Sequence, residues 1–326
     1  MVSGLVALVG KGDLSQYLFK ALNSMSHRAK AGYLVQGEVY DRLKDVALKI
    51  DGDVVVAGCM RSSSIQAKAM IHGKVYSPGD FDLLFELERS QEPSYLASKL
   101  EGVDGAYAFA HPYDKGLVFV RDPLGTKPLY IARKEGLAAI ASEMKALKSI
   151  GFEGIDRVKP GWLYYLTLDG QASYRIRSWD KISKIHVNMD EASSSVLNLL
   201  KESIKARTSK IRNVAIGFSG GLDSSFIAYI ASEYTNVRLF TVGTPGSQDL
   251  REAEKAAELL DLPISVKIVD ETSVKKLIKG LSMLIESEDI MDLAIGLVFY
   301  LTAEAAQHEG CEDLLLGQLA DELFGG

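Results

Sequence analysis

Up to about residue 180, short apolar runs alternate with turn signals. Leu5–Val9, Val54–Gly58, Ala106–Ala110, Leu117–Arg121, Leu129–Arg133, Leu137–Ala141 and Trp162–Leu168 read as strands. Asp114-Lys115-Gly116, Lys134-Glu135-Gly136 and Asp169-Gly170 supply the tight turns that join such runs as hairpins. Helical spacing occurs at Leu14–Leu22 and Phe81–Glu88. This half predicts an α+β arrangement dominated by antiparallel sheet.

After Asp190 the rhythm becomes strand–helix–strand. Strand Val214–Phe218 leads into a helix reaching Tyr234, with Phe226, Ile227, Ile230 and Ala231 at helical spacing. Strand Leu239–Val242 follows, then a helix with Leu250, Ala253, Ala257 and Leu260 on one face, then strand Ile264–Val269. Leu314-Leu315-Leu316 is a further short strand. The pattern predicts a doubly wound parallel α/β sheet, which collects ligands at the carboxyl ends of its strands. Two domains result, 1–180 and 190–326, with the boundary in Trp179–Asp190.

A chain of 326 residues can hold two cores, and 47% hydrophobic with 25% charged residues is ordinary for a globular protein. The net charge of −6 argues against a general nucleic-acid surface. Two cysteines, Cys59 and Cys311, are too few for a disulfide framework or a cysteine metal site. The sequence reads without an 18-residue apolar run for a membrane span and without a signal-peptide layout, so a cytoplasmic location is expected.

Candidate chemistry centres on Ser219-Gly220-Gly221-Leu222-Asp223-Ser224, between strand and helix. A strand that turns through two glycines into a helix start aims backbone N–H groups and the helix dipole at an anion. A carboxylate inside a phosphate cradle needs a cation between them, so Asp223 predicts Mg²⁺. The lysine of the Gly-x-x-x-x-Gly-Lys-Ser/Thr loop is absent. The stretch is instead similar to the pyrophosphatase loop of enzymes that split ATP into AMP and pyrophosphate.

Six blocks in order, the loop among them, carry this similarity. They are Arg121-Asp122-Pro123-Leu124-Gly125-Thr126-Lys127-Pro128-Leu129-Tyr130, then Ala141-Ser142-Glu143-Met144-Lys145-Ala146-Leu147, then the loop itself with Phe240-Thr241-Val242-Gly243 and Gly246-Ser247-Gln248-Asp249-Leu250, and finally Ala320-Asp321-Glu322-Leu323-Phe324-Gly325-Gly326. With its two halves in this order, the chain resembles the glutamine-dependent asparagine synthetase family, which also contains β-lactam synthetases. That resemblance implies an N-terminal-nucleophile glutaminase domain followed by an ATP-pyrophosphatase domain. It implies ATP across residues 216–224, with Ile216, Ser219, Gly220, Gly221, Asp223 and Ser224 in contact and the adenine near Val242 and Gly243. It implies Mg²⁺ between Asp223 and Asp321, since two carboxylates from separate strand ends can bridge one hard cation.

Departures from the family pattern are equally specific. The family's glutaminase uses a cysteine just after the initiator Met, whereas this chain reads Met1-Val2-Ser3-Gly4. Ser3 could serve as nucleophile only after loss of two residues. His27-Arg28-Ala29-Lys30-Ala31 and His72-Gly73-Lys74-Val75-Tyr76-Ser77 stand where the glutamine-site motifs are expected, with His72 and Lys74 replacing an amide and an acid. Arg61 and Asp80 remain at the anchor positions for glutamine. An inactive glutaminase is expected. Gly317-Gln318-Leu319 replaces Gly-Glu/Asp-Gly, so an amide stands where an acid would assist ammonia attack. The chain also stops at Gly326, where relatives continue into a helical region; a truncated form, or a short form lacking those groups or borrowing them from a partner, is expected.

The leading reading is an ATP-dependent, AMP-forming ligase that adenylates a small carboxylate, aspartate by analogy, and amidates it with free ammonia, as a homodimer or paired with a complete synthetase. The alternative is a non-catalytic nucleotide-binding regulatory relative. A third reading, tRNA modification by adenylation, suffers from the acidic balance and lack of a basic stripe.

Overall fold

Strand Val2–Gly10 is buried along almost its whole length, and its side chains divide between two cores. Val6 and Leu8 face one core; Val2, Leu5, Ala7 and Val9 face the other. Burial on both faces explains a continuous apolar run where a half-exposed strand would alternate. In the computed structural model, residues 2–46, 50, 52–61, 68–79, 83, 92–177 and 187–324 are described. They form two compact units, Met1–Ser183 and Lys184–Gly326.

The first unit has four layers. Val2–Gly10 lies between Val54–Met60 and Leu137–Ala141, and this sheet carries helices Ser15–Ser24 and Met144–Ser149 on one face through Leu18, Leu22, Ala146 and Leu147. Its other face packs on a second layer of strands Met70–Ser77, Asp104–Tyr113, Gly116–Arg121, Trp162–Leu166 and Gln171–Arg175. Phe119 stacks on Tyr164 there, with ring centroids 5.2 Å apart. Helix Pro93–Leu100 covers the far side, setting Leu96, Ala97 and Leu100 against Phe109, Val118 and Val120. One parallel pairing, Val2 with His72, joins the two strand layers.

Each of the seven expected strand regions carries a strand, with Leu129–Arg133 shifted to Tyr130–Lys134 and Trp162–Leu168 ending at Leu166. Strands Tyr33–Val35, Glu38–Tyr40, Met70–Ser77, Ile155–Arg157 and Gln171–Arg175 were not legible. Most are short, and in Met70–Ser77 the left-handed Gly73 (φ +123°) and Lys74 interrupt the apolar pattern. The expected helix Phe81–Glu88 lies outside the described residues apart from Leu83, as does most of the boundary Trp179–Asp190.

The second unit holds a four-stranded parallel sheet in the order Ile264–Ile268, Asn236–Gly243, Asn213–Gly217, Asp313–Leu315. Val214, Ile216 and Leu239 face helices Met189–Thr208, Leu222–Ser232 and Gln248–Leu260, through Ile204, Ala228, Ala231 and Ala253. Ala215, Phe240 and Leu314 face the opposite way, against Ala305 and Ala306 of helix Ile290–His308. The chain winds outward from Asn213–Gly217 and later returns to place Asp313–Leu315 on its other side. That reversal opens a crevice at the carboxyl ends of these two strands.

Helix Ile290–His308, with mean hydropathy 1.3, is long and apolar enough to cross a membrane. Asp292 and Glu304 interrupt the apolar run in its sequence. In the fold it packs on helix Glu271–Ile285 and on strand Asn236–Gly243.

Candidate functional site

The loop between strand and helix is shaped by its glycines and closed by its serines. Phe218 N–H donates to Phe240 O at 2.8 Å, holding the strand end in register. The chain then turns at Gly220, where φ is +78° and an added Cβ would lie 2.9 Å from the backbone of Ala253. Glycine is required there twice, once by conformation and once by space. Gly221 N–H donates to Ser219 Oγ at 3.3 Å, Ser224 Oγ lies 3.2 Å from Gly221 O, and the two serine hydroxyls are 3.2 Å apart. Helix Leu222–Ser232 starts without a side-chain cap. Its first N–H groups and the positive end of its dipole therefore face the crevice as an anion site.

The loop after strand Asp313–Leu315 forms the facing wall. A Cβ on Gly317 would stand 3.1 Å from Asp223 Cβ and 3.1 Å from Ser224 N, so this loop touches the helix start directly. Between them lies a cavity of about 450 Å³. Ser219, Gly221, Asp223, Ser224, Val242, Gln318 and Asp321 all line it. Ile216 is fully buried in the sheet core, Gly220 packs under the loop, and Gly243 lies against Leu250 and Ser247. These three do not line the cavity. Thr241, Asp249, Val298, Phe299 and Thr302 line it too and were not singled out from sequence. Asp249 was legible in principle, within Gly246–Leu250; Val298, Phe299 and Thr302 lie on the apolar helix Ile290–His308.

Three carboxylates, Asp223, Asp249 and Asp321, line the cavity with no Lys, Arg or His among the lining residues. Among the described residues no group of three or more His, Cys, Asp or Glu is placed to hold a metal by itself. Two carboxylates in a glycine-walled cradle nevertheless suit Mg²⁺, which takes one or two protein carboxylates and completes its shell with phosphate oxygens and water. The donor set fits that ion as a companion of a bound polyphosphate.

The first unit is organised differently. Val2 is buried at 4% exposure, registered with Met60 and His72. Ser3 lies inside the strand, its hydroxyl 2.7 Å from Arg28 O and 3.1 Å from Cys59 O, engaged by backbone instead of facing a substrate. His72 Nδ1 lies 2.9 Å from Ser142 Oγ, which itself accepts the Leu5 N–H at 2.9 Å. Either group can donate in this pair, because the serine oxygen can accept a second hydrogen bond. Burial, with the charges of Lys127 and Arg28, drives the His72 pKa down to about 3, against an opposing pull from Glu143.

Glu143 is the electrostatic centre of this unit. Its carboxylate pairs with Arg28, with His27 at 3.2 Å and with Lys145 at 2.9 Å. Burial alone would raise its pKa, but the His27 hydrogen bond, the Arg28 charge and the hydrogen bonds from Lys145 and Arg28 hold it at about 2. Burial pushes the Cys59 thiol up to about 12, so it carries no thiolate. Arg61 is exposed, and Asp80 lies outside the described residues.

The block beginning Arg121-Asp122 proves to be a loop brace. Asp122 accepts N–H bonds from Leu124, Thr126 and Lys127 at 3.0–3.1 Å, while Arg121 donates to Lys127 O, Gly125 O and Val158 O.

Comparison with known proteins agrees with this two-part layout. The asparagine synthase family model matches residues 195–326, and the glutamine amidotransferase domain model matches 53–149. A putative glutamine-hydrolysing asparagine synthetase of Methanocaldococcus jannaschii is 36% identical over 251 residues, covering 71% of this chain and 46% of that protein. Asparagine synthetase B of Escherichia coli is 26% identical over 309 residues, covering 88% and 53%. The chain thus spans about half the length of the curated relatives it matches. Among solved structures, glutamine phosphoribosylpyrophosphate amidotransferase from B. subtilis, complexed with ADP and GMP, aligns with a TM-score of 0.48 at 17% identity, over 84% of this chain and 70% of its own. Both values are too low to say anything about ligands.

Proposed function

The chain belongs to the asparagine synthetase family, and from that premise we propose that its second unit binds ATP with Mg²⁺ and adenylates a small carboxylate substrate. The observation that carries the reading is one cavity that brings Ser219, Gly221, Asp223 and Ser224 together with Val242 and Asp321. In the proposed step a carboxylate oxygen of the substrate, aspartate by family analogy, attacks the α-phosphorus of ATP. The bond to the bridging oxygen breaks and pyrophosphate leaves. Loop N–H groups and the Ser219 and Ser224 hydroxyls hold the leaving pyrophosphate, where negative charge develops. Asp223 and Asp321 would hold Mg²⁺, which supplies electrostatic neutralisation of that charge when bound. Val242 offers the adenine an apolar edge.

Amide formation then needs an amine. Ammonia attacks the acyl carbon of the adenylate, the bond to the phosphate oxygen breaks so that AMP departs, and the extra proton passes to solvent. Gln318 can orient the ammonia by hydrogen bonding but cannot take its proton. Free ammonia is the proposed nitrogen source, because the first unit sets buried Val2, backbone-bound Ser3 and neutral His72 about its glutamine-site positions.

Pyrophosphate release is the decisive assay, run with ATP, Mg²⁺ and aspartate, with and without ammonia. Release that requires aspartate supports the ligase. A second reading, a non-catalytic nucleotide-binding relative, draws on Gln318 standing beside Asp321 where an acid would assist the amine. Tight ATP binding with no AMP formed from any small carboxylate would select it.

A further inference from the structure

A second cavity, of about 530 Å³, opens between the two strand layers of the first unit. Strands Tyr130–Lys134 and Ile155–Arg157 contribute to one side, and Trp162–Leu166 with the start of Gln171–Arg175 to the other. Its apolar lining, Phe119, Ile131 and Val158, belongs to the core between the layers, and the Tyr164 ring stacks on Phe119. The Lys159 N–H donates to the Tyr164 hydroxyl, which fixes that ring in the lining.

The charged lining is one-sided. Arg133, Arg157 and Lys159 supply three cations and Asp156 the single carboxylate, a surplus of two positive charges in a chain whose net charge is −6. Among the described residues none of these cations forms an ion pair. Elsewhere in the unit basic side chains gather about a carboxylate, as Arg28 and Lys145 do at Glu143. Here Arg133 donates to neutral groups, Gly170 O at 3.2 Å and Gln171 Oε1 at 3.1 Å, and the Arg157 guanidinium lies 5.7 Å from the Tyr130 ring centroid. The positive field reaches the buried Arg121, whose pKa is lowered first by burial and then by the charge of Arg157. Like charges gathered at one opening repel each other, and an anion between them relieves that repulsion.

We propose that this cavity binds a phosphate monoester whose organic part is a planar ring, the class to which nucleoside monophosphates belong. A monoester carries a charge of about −1.5 to −2 at pH 7, which matches the surplus on the lining. The Arg133 fork and the Lys159 ammonium take its oxygens. The ring lies along Tyr164, Ile131 and Phe119, an apolar surface that inorganic phosphate would leave wet. The site belongs wholly to the first unit, so it stands or falls separately from ATP binding in the second.

Calorimetry on residues 1–326 with phenyl phosphate reads it, with inorganic phosphate as the charge-only probe and phenol as the ring-only probe. Expected is one site per chain with a Kd below about 1 mM, about tenfold or more tighter than either fragment, and weakening as salt rises. Arg133→Gln and Lys159→Gln each weaken binding about fivefold or more with unchanged circular dichroism, and Asp156→Asn tightens it. Lys159 makes no side-chain bond among the described residues, so its variant leaves the fold intact even if Arg133→Gln loosens the hairpin at Gly170. Lys20→Gln, on helix Ser15–Ser24 across the sheet, leaves binding unaltered. No binding of the ester, binding indifferent to both cation changes, or inorganic phosphate held as tightly as the ester overturns the proposal.

Discussion

Gly317 lies so close to Asp223 that a Cβ on the glycine would stand 3.1 Å from the aspartate's own Cβ. The two loops that carry the candidate metal carboxylates are thus in contact through backbone, and their spacing is set there. Gly317→Ala forces a shift of a few tenths of an ångström between Asp223 and Asp321. Expected is a loss of about tenfold in Mg²⁺–ATP affinity by calorimetry, about 1.4 kcal/mol, while the urea midpoint barely moves. Unchanged affinity would show that the two walls are not coupled.

Asp223→Asn and Asp321→Asn test the metal site itself. Each keeps shape and removes one hard anionic ligand. Mg²⁺–ATP affinity is expected to fall about 10- to 100-fold for either change, and the double variant to lose little more, because the two carboxylates serve one ion. In EDTA the ordering should reverse, since ATP without its cation is repelled by the carboxylates. Equal losses with and without Mg²⁺ would argue against shared metal binding.

Gly220→Ala addresses the fold beneath the site. The new side chain adopts a left-handed backbone at φ +78° and meets the Ala253 backbone at 2.9 Å. Strain of about 1 kcal/mol adds to a clash that neither backbone can relieve cheaply, so about 2–4 kcal/mol of destabilisation is expected, comparable to overpacking a core. Urea unfolding of the second unit reads it.

The cradle was legible from sequence because it is local: strand, two glycines, aspartate and helix follow within eleven residues, and the fold keeps that order. Asp321 came only through resemblance, since nothing near it in the chain marks a ligand. Val298, Phe299 and Thr302 were out of reach for a topological reason. They arrive in the cavity because the chain crosses back over the sheet, and helix Ile290–His308 shows that crossing only as hydropathy. In the first unit the block starting Arg121-Asp122 was legible as a match, but its purpose as a loop brace emerged from the hydrogen bonds to Asp122 and Arg121. Gly73 hid its strand for the opposite reason: a left-handed residue interrupts the very pattern that strands are read from.

Acid sensitivity of the first unit should come in two steps. His72 has a folded pKa near 3 against an ordinary 6.5, so the unfolded chain takes up a proton that the fold refuses. Stability then falls as pH falls through that window, by up to about 1.4 kcal/mol per pH unit. Glu143 is lowered from 4.5 to about 2, so its contribution is present above 4.5 and lost as pH drops towards 2. His72→Asn, whose amide oxygen can accept from Ser142, should flatten only the upper step. Glu143→Gln leaves Arg28 and Lys145 facing a neutral group and should cost about 3–5 kcal/mol at neutral pH while flattening the lower step. Denaturant midpoints from pH 7 to 3 check both; a parallel loss in all three proteins would remove the linkage.

Leu319 combines strain and exposure in one residue. It holds φ at +74° and is 61% exposed, so a branched side chain occupies a backbone region that costs about 1–2 kcal/mol. Leu319→Gly relieves that strain at the cost of a more flexible unfolded chain, worth about 0.5–1 kcal/mol the other way. A net gain of roughly 0.5 kcal/mol is expected from urea unfolding, with ATP affinity within twofold.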